Sequence, residues 1–104
     1  MAVQVLIRRK FVMDKAEKIS PLMVALRSLA RAQPGYLSSE SLKCIDPPGE
    51  DEYLIRATWN STEEWNGWLN SEERSAIQGQ SDALTGEETQ YRIYEPLVGG
   101  IHPK

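Results

Sequence analysis

Hydrophobic and polar positions alternate along four segments of the chain, and this two-residue period is typical of β-strands. In the first segment, Ala2 to Val12, the residues Val3, Val5 and Ile7 fall on one side. Apolar residues also occur on its other side, which indicates a strand covered on both faces. The other segments with this period are 36–44, 52–59 and 89–95.

Apolar residues at steps of three and four predict a helix between the first two strands. Asp14 lies three residues before Glu17, the spacing of a capping box, and the turn Gln33-Pro34-Gly35 ends the pattern. Pro21 lies inside it and leaves two alternatives. The helix is irregular or kinked near its first turn, or it begins at Pro21 with Ser20 as its cap.

A second helical region follows the third strand and begins at Asn60 or Ser61, both of which are favoured helix caps. The residues Asn70-Ser71 interrupt this region, and a further helical stretch runs from Glu72 to Thr85. The apolar side of its first part consists of Trp65, Trp68 and Leu69.

The resulting order, βαββαβ, predicts an α+β protein with a ferredoxin-like fold. In that fold a four-stranded antiparallel sheet carries its helices on one face. We expect one domain over residues 1–96, followed by a tail over 97–104. The open sheet face would present Leu6, Leu54, Thr58 and Tyr94, which is too apolar a surface to leave in water. A homodimer through this face is the simplest expectation.

Charge and composition exclude several classes of protein. The chain has 12 basic and 15 acidic residues, a formal charge of −3, which argues against a nucleic-acid partner. No apolar run approaches the roughly 20 residues that a bilayer requires. Arg8, Arg9 and Lys10 follow the apolar start instead of preceding it, so no secretory signal is expected. With Cys44 as the single cysteine, we expect a cytoplasmic protein.

Three segments of the sequence are similar to the antibiotic biosynthesis monooxygenase domain of the dimeric α/β-barrel superfamily. They are Val5 to Lys10, Gln33 to Tyr36, and Thr58 to Ser71, the last of which carries all three tryptophans. The resemblance covers residues 2–96. It implies a homodimer whose two sheets form a barrel, with a pocket between sheet and helices in each subunit.

The haem-degrading branch of this family has an Asn, a Trp and a His in its site. Trp68 matches the Trp, but Gln78 stands at the position of the His and Ile7 at that of the Asn. Neither Gln nor Ile replaces an imidazole as an iron ligand, and His102 lies in the tail. We therefore expect neither haem nor another metal.

The cofactor-free, quinone-forming branch has a Trp at the end of the third strand, an Asn four residues earlier and a Tyr six residues later. Trp59 matches the Trp, whereas Ile55 stands at the position of the Asn and Trp65 at that of the Tyr. The chemistry requires a phenolate-like substrate that passes an electron to O₂ and donors that hold the developing anion. The remaining candidates for polar contacts are Arg9, Tyr53, Trp59, Asn66 and Gln78.

Two functions follow from this resemblance. The first is a monooxygenase without metal, tightly bound flavin or other cofactor, acting on a small planar aromatic or quinone-type molecule. The second is a non-catalytic dimeric protein that binds such a molecule, since no catalytic base is evident. An isomerase of the same superfamily has no positive support. The three tryptophans are read either as core aromatics or as the lining of a ligand pocket, and the two interpretations are compatible.

Overall fold

The computed structural model describes residues 2–10, 16–48, 52–85 and 89–97. These residues form β1 (Val3–Lys10), α1 (Ala16–Arg31), β2 (Tyr36–Lys43), β3 (Glu52–Trp59), α2 (Thr62–Leu69), α3 (Glu72–Thr85) and β4 (Gln90–Tyr94). The second helical region is thus two helices separated at residues 70 and 71. The expected cap Asp14 and the tail beyond Leu97 lie outside the described residues.

The four strands form one antiparallel sheet in the order β2-β3-β1-β4, which confirms the α+β, ferredoxin-like prediction. Ile7 is paired with Ile55 on one side and with Tyr91 on the other, so these three side chains share a face. The sheet of this chain is open. The barrel that the resemblance implies requires a second sheet and stays a prediction.

Helix α1 continues through Pro21, so the alternative in which the helix begins there, with Ser20 as its cap, is wrong. A proline inside a helix costs about 3 kcal/mol, since it removes one hydrogen bond and crowds the preceding turn. Ile19, in the turn before Pro21, is fully buried. Burial of such a side chain contributes about 1.5–3 kcal/mol, which offsets most of that cost. Within the described residues, none of the helices is long and apolar enough to cross a membrane.

The core lies between the helices and the sheet face that carries the odd-numbered residues of β1 and β3. Trp59, at the end of β3, lies at its centre with 1% of its surface exposed. Its ring meets Tyr36 edge-on at 5.6 Å and Trp65 at 5.7 Å between ring centroids. These contacts tie α2 and the start of β2 to the middle of the sheet. The buried core residues are Val3, Val5, Ile7, Leu26, Ala57, Trp59, Trp65 and Trp68.

The opposite sheet face carries no helix among the described residues, and the register places Leu6, Leu54, Thr58 and Tyr94 on it. Charged side chains share this face. Arg8 is paired with Glu52, and Arg56 with Glu40 across β2 and β3. The face therefore combines leucines with ion pairs. This composition occurs both on solvent-exposed protein surfaces and in interfaces that have a polar rim.

The turn between α1 and β2 depends on a glycine with a left-handed backbone. Gly35 has φ +86°, and its carbonyl accepts a hydrogen bond of 2.7 Å from the backbone N–H of Asn60. A Cβ atom at Gly35 would lie 2.7 Å from the Cβ of Glu64. The turn therefore approaches the start of α2 so closely that no side chain fits.

We predict that Gly35→Ala lowers the free energy of unfolding by about 1–3 kcal/mol, because it combines a strained φ with a steric clash. Urea unfolding followed by tryptophan fluorescence measures this change. An unchanged midpoint would contradict the described turn.

Gly79→Ala is the matched control, because Gly79 lies inside α3 and an added Cβ meets nothing within 4 Å. This substitution should raise the free energy of unfolding by about 0.5–1 kcal/mol, since alanine favours a helix over glycine.

Candidate functional site

A cavity of about 170 Å³ lies between the sheet and the helices. Exposed residues on one side of its lining mark its mouth: Val24 and Arg27 from α1, and Ser41 from β2. Because β2 is an edge strand, the mouth opens at one side of the sheet. The residues from β1 and β4 that line the cavity, Arg9 and Tyr91 among them, lie toward the opposite side.

The wall of the cavity is aromatic. Trp59, Trp65 and Trp68 all line it and are almost fully buried, so they serve as core and as pocket lining at once. The N-cap residue Ser61 positions the two tryptophans of α2. Ser61 Oγ accepts a hydrogen bond from the Glu64 backbone N–H at 3.2 Å and donates one to Glu64 Oε1 at 3.1 Å. The helix therefore begins at a fixed residue, which turns Trp65 and Trp68 toward the sheet.

Helix α3 buries a polar face. Its start is fixed by Ser71, whose Oγ accepts a hydrogen bond of 3.2 Å from the Arg74 backbone N–H. Arg74, Gln78 and Ser81 follow at steps of four and three, and each is no more than 8% exposed. This spacing places all three on one side of the helix, which packs toward the cavity rather than toward water.

We use the name polar cluster for Arg9, Arg74, Gln78 and Tyr91, which lie together at the inner side of the cavity. Arg9 Nη2 donates a hydrogen bond of 3.0 Å to Gln78 Oε1, and the Tyr91 hydroxyl donates one of 3.3 Å to the same oxygen. Arg74 Nη2 donates to the Tyr91 hydroxyl, and its guanidinium carbon lies 5.1 Å from the centre of that ring. One amide oxygen thus joins β1, α3 and β4.

A second set of contacts fixes the amide of Gln78. Its Nε2 donates hydrogen bonds to Asp82 Oδ1 at 2.8 Å and to Thr89 Oγ1 at 2.7 Å. Thr89 Oγ1 donates in turn to Asp82 Oδ1 at 3.1 Å. Because the amide nitrogen is committed to these oxygens, the amide oxygen must point toward Arg9 and Tyr91.

Burial dominates the ionisation of the polar cluster. Desolvation lowers the pKa of Arg9, and the neighbouring charge of Arg74 lowers it further, while Tyr91 and Asp82 act in the opposite direction. Desolvation raises the pKa of Tyr91, against the opposing effect of Arg74 and Arg9. The raised pKa keeps Tyr91 neutral near pH 7, and a guanidinium does not lose its proton in proteins, so neither group is a proton acceptor there.

The chemical capacity of the site is that of a binding surface with hydrogen-bond donors. Of the described residues that line the cavity, none is an Asp, Glu or His. The described part of the chain contains no group of three or more His, Cys, Asp or Glu side chains arranged to hold a metal ion. The aromatic wall suits a planar ring, and the arginines, Tyr91 and Gln78 suit a polar group attached to it.

The structure brings together seven of the nine residues that the sequence suggested for the site. Those seven line the cavity: Ile7, Arg9, Ile55, Trp59, Trp65, Trp68 and Gln78. Tyr53 is half-buried near the start of β3 and does not line it. Asn66 is exposed on α2 and does not line it either, because it lies one residue beyond Trp65 and so about 100° around the helix.

Arg74, Tyr91 and Tyr36 are among the polar residues of the cavity that sequence reasoning missed. The signal for Arg74 was present, because Arg74, Gln78 and Ser81 recur at helical spacing. Tyr91 lies opposite Ile7 in the register, but only the strand pairing reveals that proximity. Tyr36 also lines the cavity, and its hydroxyl lies 2.6 Å from Ser39 Oγ.

Solved structures similar to this chain share its fold at low sequence identity. Rv0793 from Mycobacterium tuberculosis is 18% identical, with a TM-score of 0.79 over 97% of this chain and 100% of that one. SnoaB, a cofactor-independent oxygenase from Streptomyces nogalater, is 14% identical, with a TM-score of 0.78 over 93% of this chain and 94% of that one. At these identities the likeness shows the fold alone.

A conserved protein from Methanosarcina mazei gives the same result, with 15% identity and a TM-score of 0.79 over 90% of this chain and 91% of that one. No curated protein sequence is significantly similar to this chain. The family model described as antibiotic biosynthesis monooxygenase matches residues 3–80, which is most of the chain and includes β1 to α2 in full. The chain therefore belongs to the antibiotic biosynthesis monooxygenase family.

Proposed function

We propose that this chain is a cofactor-independent monooxygenase that oxidises a small planar aromatic or quinone-type molecule held in the cavity. The observation that carries the proposal is the aromatic wall of Trp59, Trp65 and Trp68 beside a cluster of buried hydrogen-bond donors. Membership of the family and the fold shared with the oxygenase SnoaB support it.

The reaction would draw its electrons from the substrate. A phenolate passes an electron to O₂, and one oxygen atom ends as a carbonyl at a ring carbon that carried one hydrogen. The other oxygen atom leaves as water with that hydrogen and the hydrogen of the phenol hydroxyl, so the phenol becomes a quinone. The protein contributes by holding the ring against the tryptophans and by donating hydrogen bonds to the developing negative charge, which lowers the barrier most in a site that excludes water.

Cavity volume limits the substrate. An apolar cavity of about 150 Å³ holds one benzene ring. At about 170 Å³, the cavity of this chain fits a single ring with small substituents. A fused polycyclic molecule would need α1 to move away from β2 at the mouth.

A second function, binding without catalysis, is favoured by one observation. Ile55 lines the cavity at the position where the quinone-forming branch has an Asn, and none of the lining residues described is an Asp, Glu or His. A substrate that does not ionise on its own in water would find no base there. For such a molecule the chain would be a carrier or sensor.

The proposed assembly is a homodimer through the open sheet face. Leu6 and Leu54 lie near the middle of that face and are half-buried within the single chain, and Tyr94 at its edge is 44% exposed. A second copy would cover these side chains and would complete a barrel. We propose the cytoplasm as its location, since one cysteine in 104 residues suits a reducing compartment.

The oxygenase proposal predicts protein-dependent O₂ uptake with single-ring phenols or dihydroquinones, measured with an oxygen electrode. Trp59→Phe should lower kcat/KM about tenfold or more, because it keeps an aromatic ring but removes a buried indole N–H that has no partner among the described residues. Tyr94→Phe, which removes a hydroxyl on the opposite sheet face, is the control and should leave the rate unchanged.

One combination of results would refute the oxygenase proposal and support binding alone. If the same compounds quench tryptophan fluorescence saturably but no member of the panel raises O₂ uptake above the rate without protein, the chain is a binding protein.

The dimer proposal predicts a mass of twice 11.8 kDa in light scattering at about 10 μM. Leu54→Lys should shift the mass to that of one chain, because it places an unpaired charge in the middle of the contact. Ile45→Lys, which replaces a residue that is 82% exposed beyond the end of β2, should leave the mass unchanged. A single-chain mass for the unmodified protein would refute the dimer.

A further inference from the structure

Arg9 is a buried cation whose hydrogen-bonding capacity is mostly unused. It is 7% exposed and lines the cavity. Its Nη2 donates to Gln78, but its Nε and Nη1 are buried and have no hydrogen-bond partner among the described residues. Such groups are rare in folded proteins, because a buried donor without a partner costs about 1–3 kcal/mol, and more when it is charged.

The surroundings of Arg9 do not neutralise its charge. Arg74, a second guanidinium, is close enough to disfavour the cationic form of Arg9, and the nearby carboxylate is that of Asp82. Asp82 accepts hydrogen bonds from Gln78 and Thr89. Among the described residues, none of the carboxylates forms an ion pair with Arg9. Within the part of the chain that the structure describes, this side of the cavity is thus lined by two cations, and the nearby carboxylate of Asp82 does not line it.

We infer that the cavity selects planar aromatic molecules that carry an anionic oxygen group, a carboxylate or a phenolate, and that Arg9 is the partner of that anion. A guanidinium forms charge-assisted hydrogen bonds to such oxygens, and they are strongest where water is excluded. The inference rests on the proposed use of the cavity as the ligand site. It adds the charge of the ligand and the residue that recognises it.

Two other arginines line the cavity and are weaker candidates. Arg27 lies at the mouth and is exposed, so water screens its charge. Arg74 is buried, but its Nη1 donates to the backbone oxygen of Leu69 at 3.0 Å and its Nη2 to Tyr91. Arg9 alone of the three combines burial with unpartnered N–H groups.

Gln78 is a positioning residue for this anion site. Its oxygen accepts from Arg9, while its nitrogen is held by Asp82 and Thr89. This arrangement fixes the guanidinium at one side of the cavity without neutralising it. A carboxylate at the position of Gln78 would have formed an ion pair with Arg9 and removed the charge that a ligand meets.

The experiment compares matched neutral and anionic single-ring probes. Benzoate and benzamide have nearly the same shape but differ in charge, and 4-nitrophenolate and 4-nitroanisole form the second pair. Dissociation constants come from titrations in which the three indole N–H signals are followed by ¹H–¹⁵N NMR. In the unmodified chain, at least one anion should have a dissociation constant about tenfold or more below that of its neutral partner. The pair with the larger ratio shows whether the site prefers a carboxylate or a phenolate.

Variants assign the preference to Arg9. Arg9→Gln should reduce the anion-to-neutral ratio to about threefold or less, and Arg9→Lys should keep part of it. Arg31→Gln is the matched control, since it removes one positive charge from an exposed position in the last turn of α1 and should leave the ratio unchanged. If Arg9→Gln does not fold, the ratio in the unmodified chain decides whether the cavity prefers anions, and a partial loss of that ratio in Arg9→Lys assigns the preference to Arg9.

Two outcomes overturn the inference: equal binding of both members of each pair by the unmodified chain, or an anion preference that survives in a folded Arg9→Gln variant. Neither depends on O₂ uptake. If the chain prefers the anionic probes but no compound raises O₂ uptake, the anion site is supported and the oxygenase proposal is refuted. If only neutral compounds raise O₂ uptake, the oxygenase proposal is supported and the anion site is refuted.

Discussion

A guanidinium removed from water is the constraint on which the site depends. Arg9 comes from the sheet face that also carries Ile7 and Ile55, where an apolar side chain would be the ordinary choice. Keeping it there requires an acceptor, and Gln78 supplies one. Gln78 in turn must lie on a buried face of α3, a helix whose start is fixed by Ser71.

The aromatic half of the site follows from a different requirement. Trp59 must pack against Tyr36 and Trp65 to close the end of the sheet, and large rings that meet edge-on do not fill space as aliphatic side chains do. Ala57, the smallest side chain of this part of the sheet, leaves further room beside them. The side chains that pack the core are therefore the same side chains whose arrangement leaves the cavity open.

Periodicity predicted most of the fold, since strands and amphipathic helices are defined by local patterns of burial. The four strands and the position of α1 were predicted from such patterns, and the cap of α2 was left between Asn60 and Ser61, of which Ser61 is the cap in the structure. Gln78 entered the candidate site only through the family resemblance. The buried polar face of α3, with Arg74, Gln78 and Ser81, was not predicted, because local periodicity recognises buried positions by their apolar side chains. Their proximity to Arg9 depends on pairing between distant segments, which no local pattern encodes.

The candidate site residues show the same difference between what a local pattern predicts and what it does not. Trp59, Ile55 and Ile7 were candidates through the family resemblance, and alternation placed each on the inward face of its strand, where they line the cavity. Residues chosen for their chemistry alone, Tyr53 and Asn66, lie elsewhere. Asn66 directly follows Trp65 on α2 and so points away from the cavity, whereas Tyr53 shares the inward face of β3 with Ile55 but lies one step further along the strand, beyond the lining.

The central claim is that Arg9 holds an anion at the inner side of an aromatic cavity. A crystal structure of the protein grown with benzoate tests it most directly. The account predicts the ring against Trp59 and Trp65, with a carboxylate oxygen about 3 Å from the guanidinium of Arg9. A carboxylate directed toward Arg27 at the mouth, or a cavity that holds only water at saturating benzoate, would contradict it.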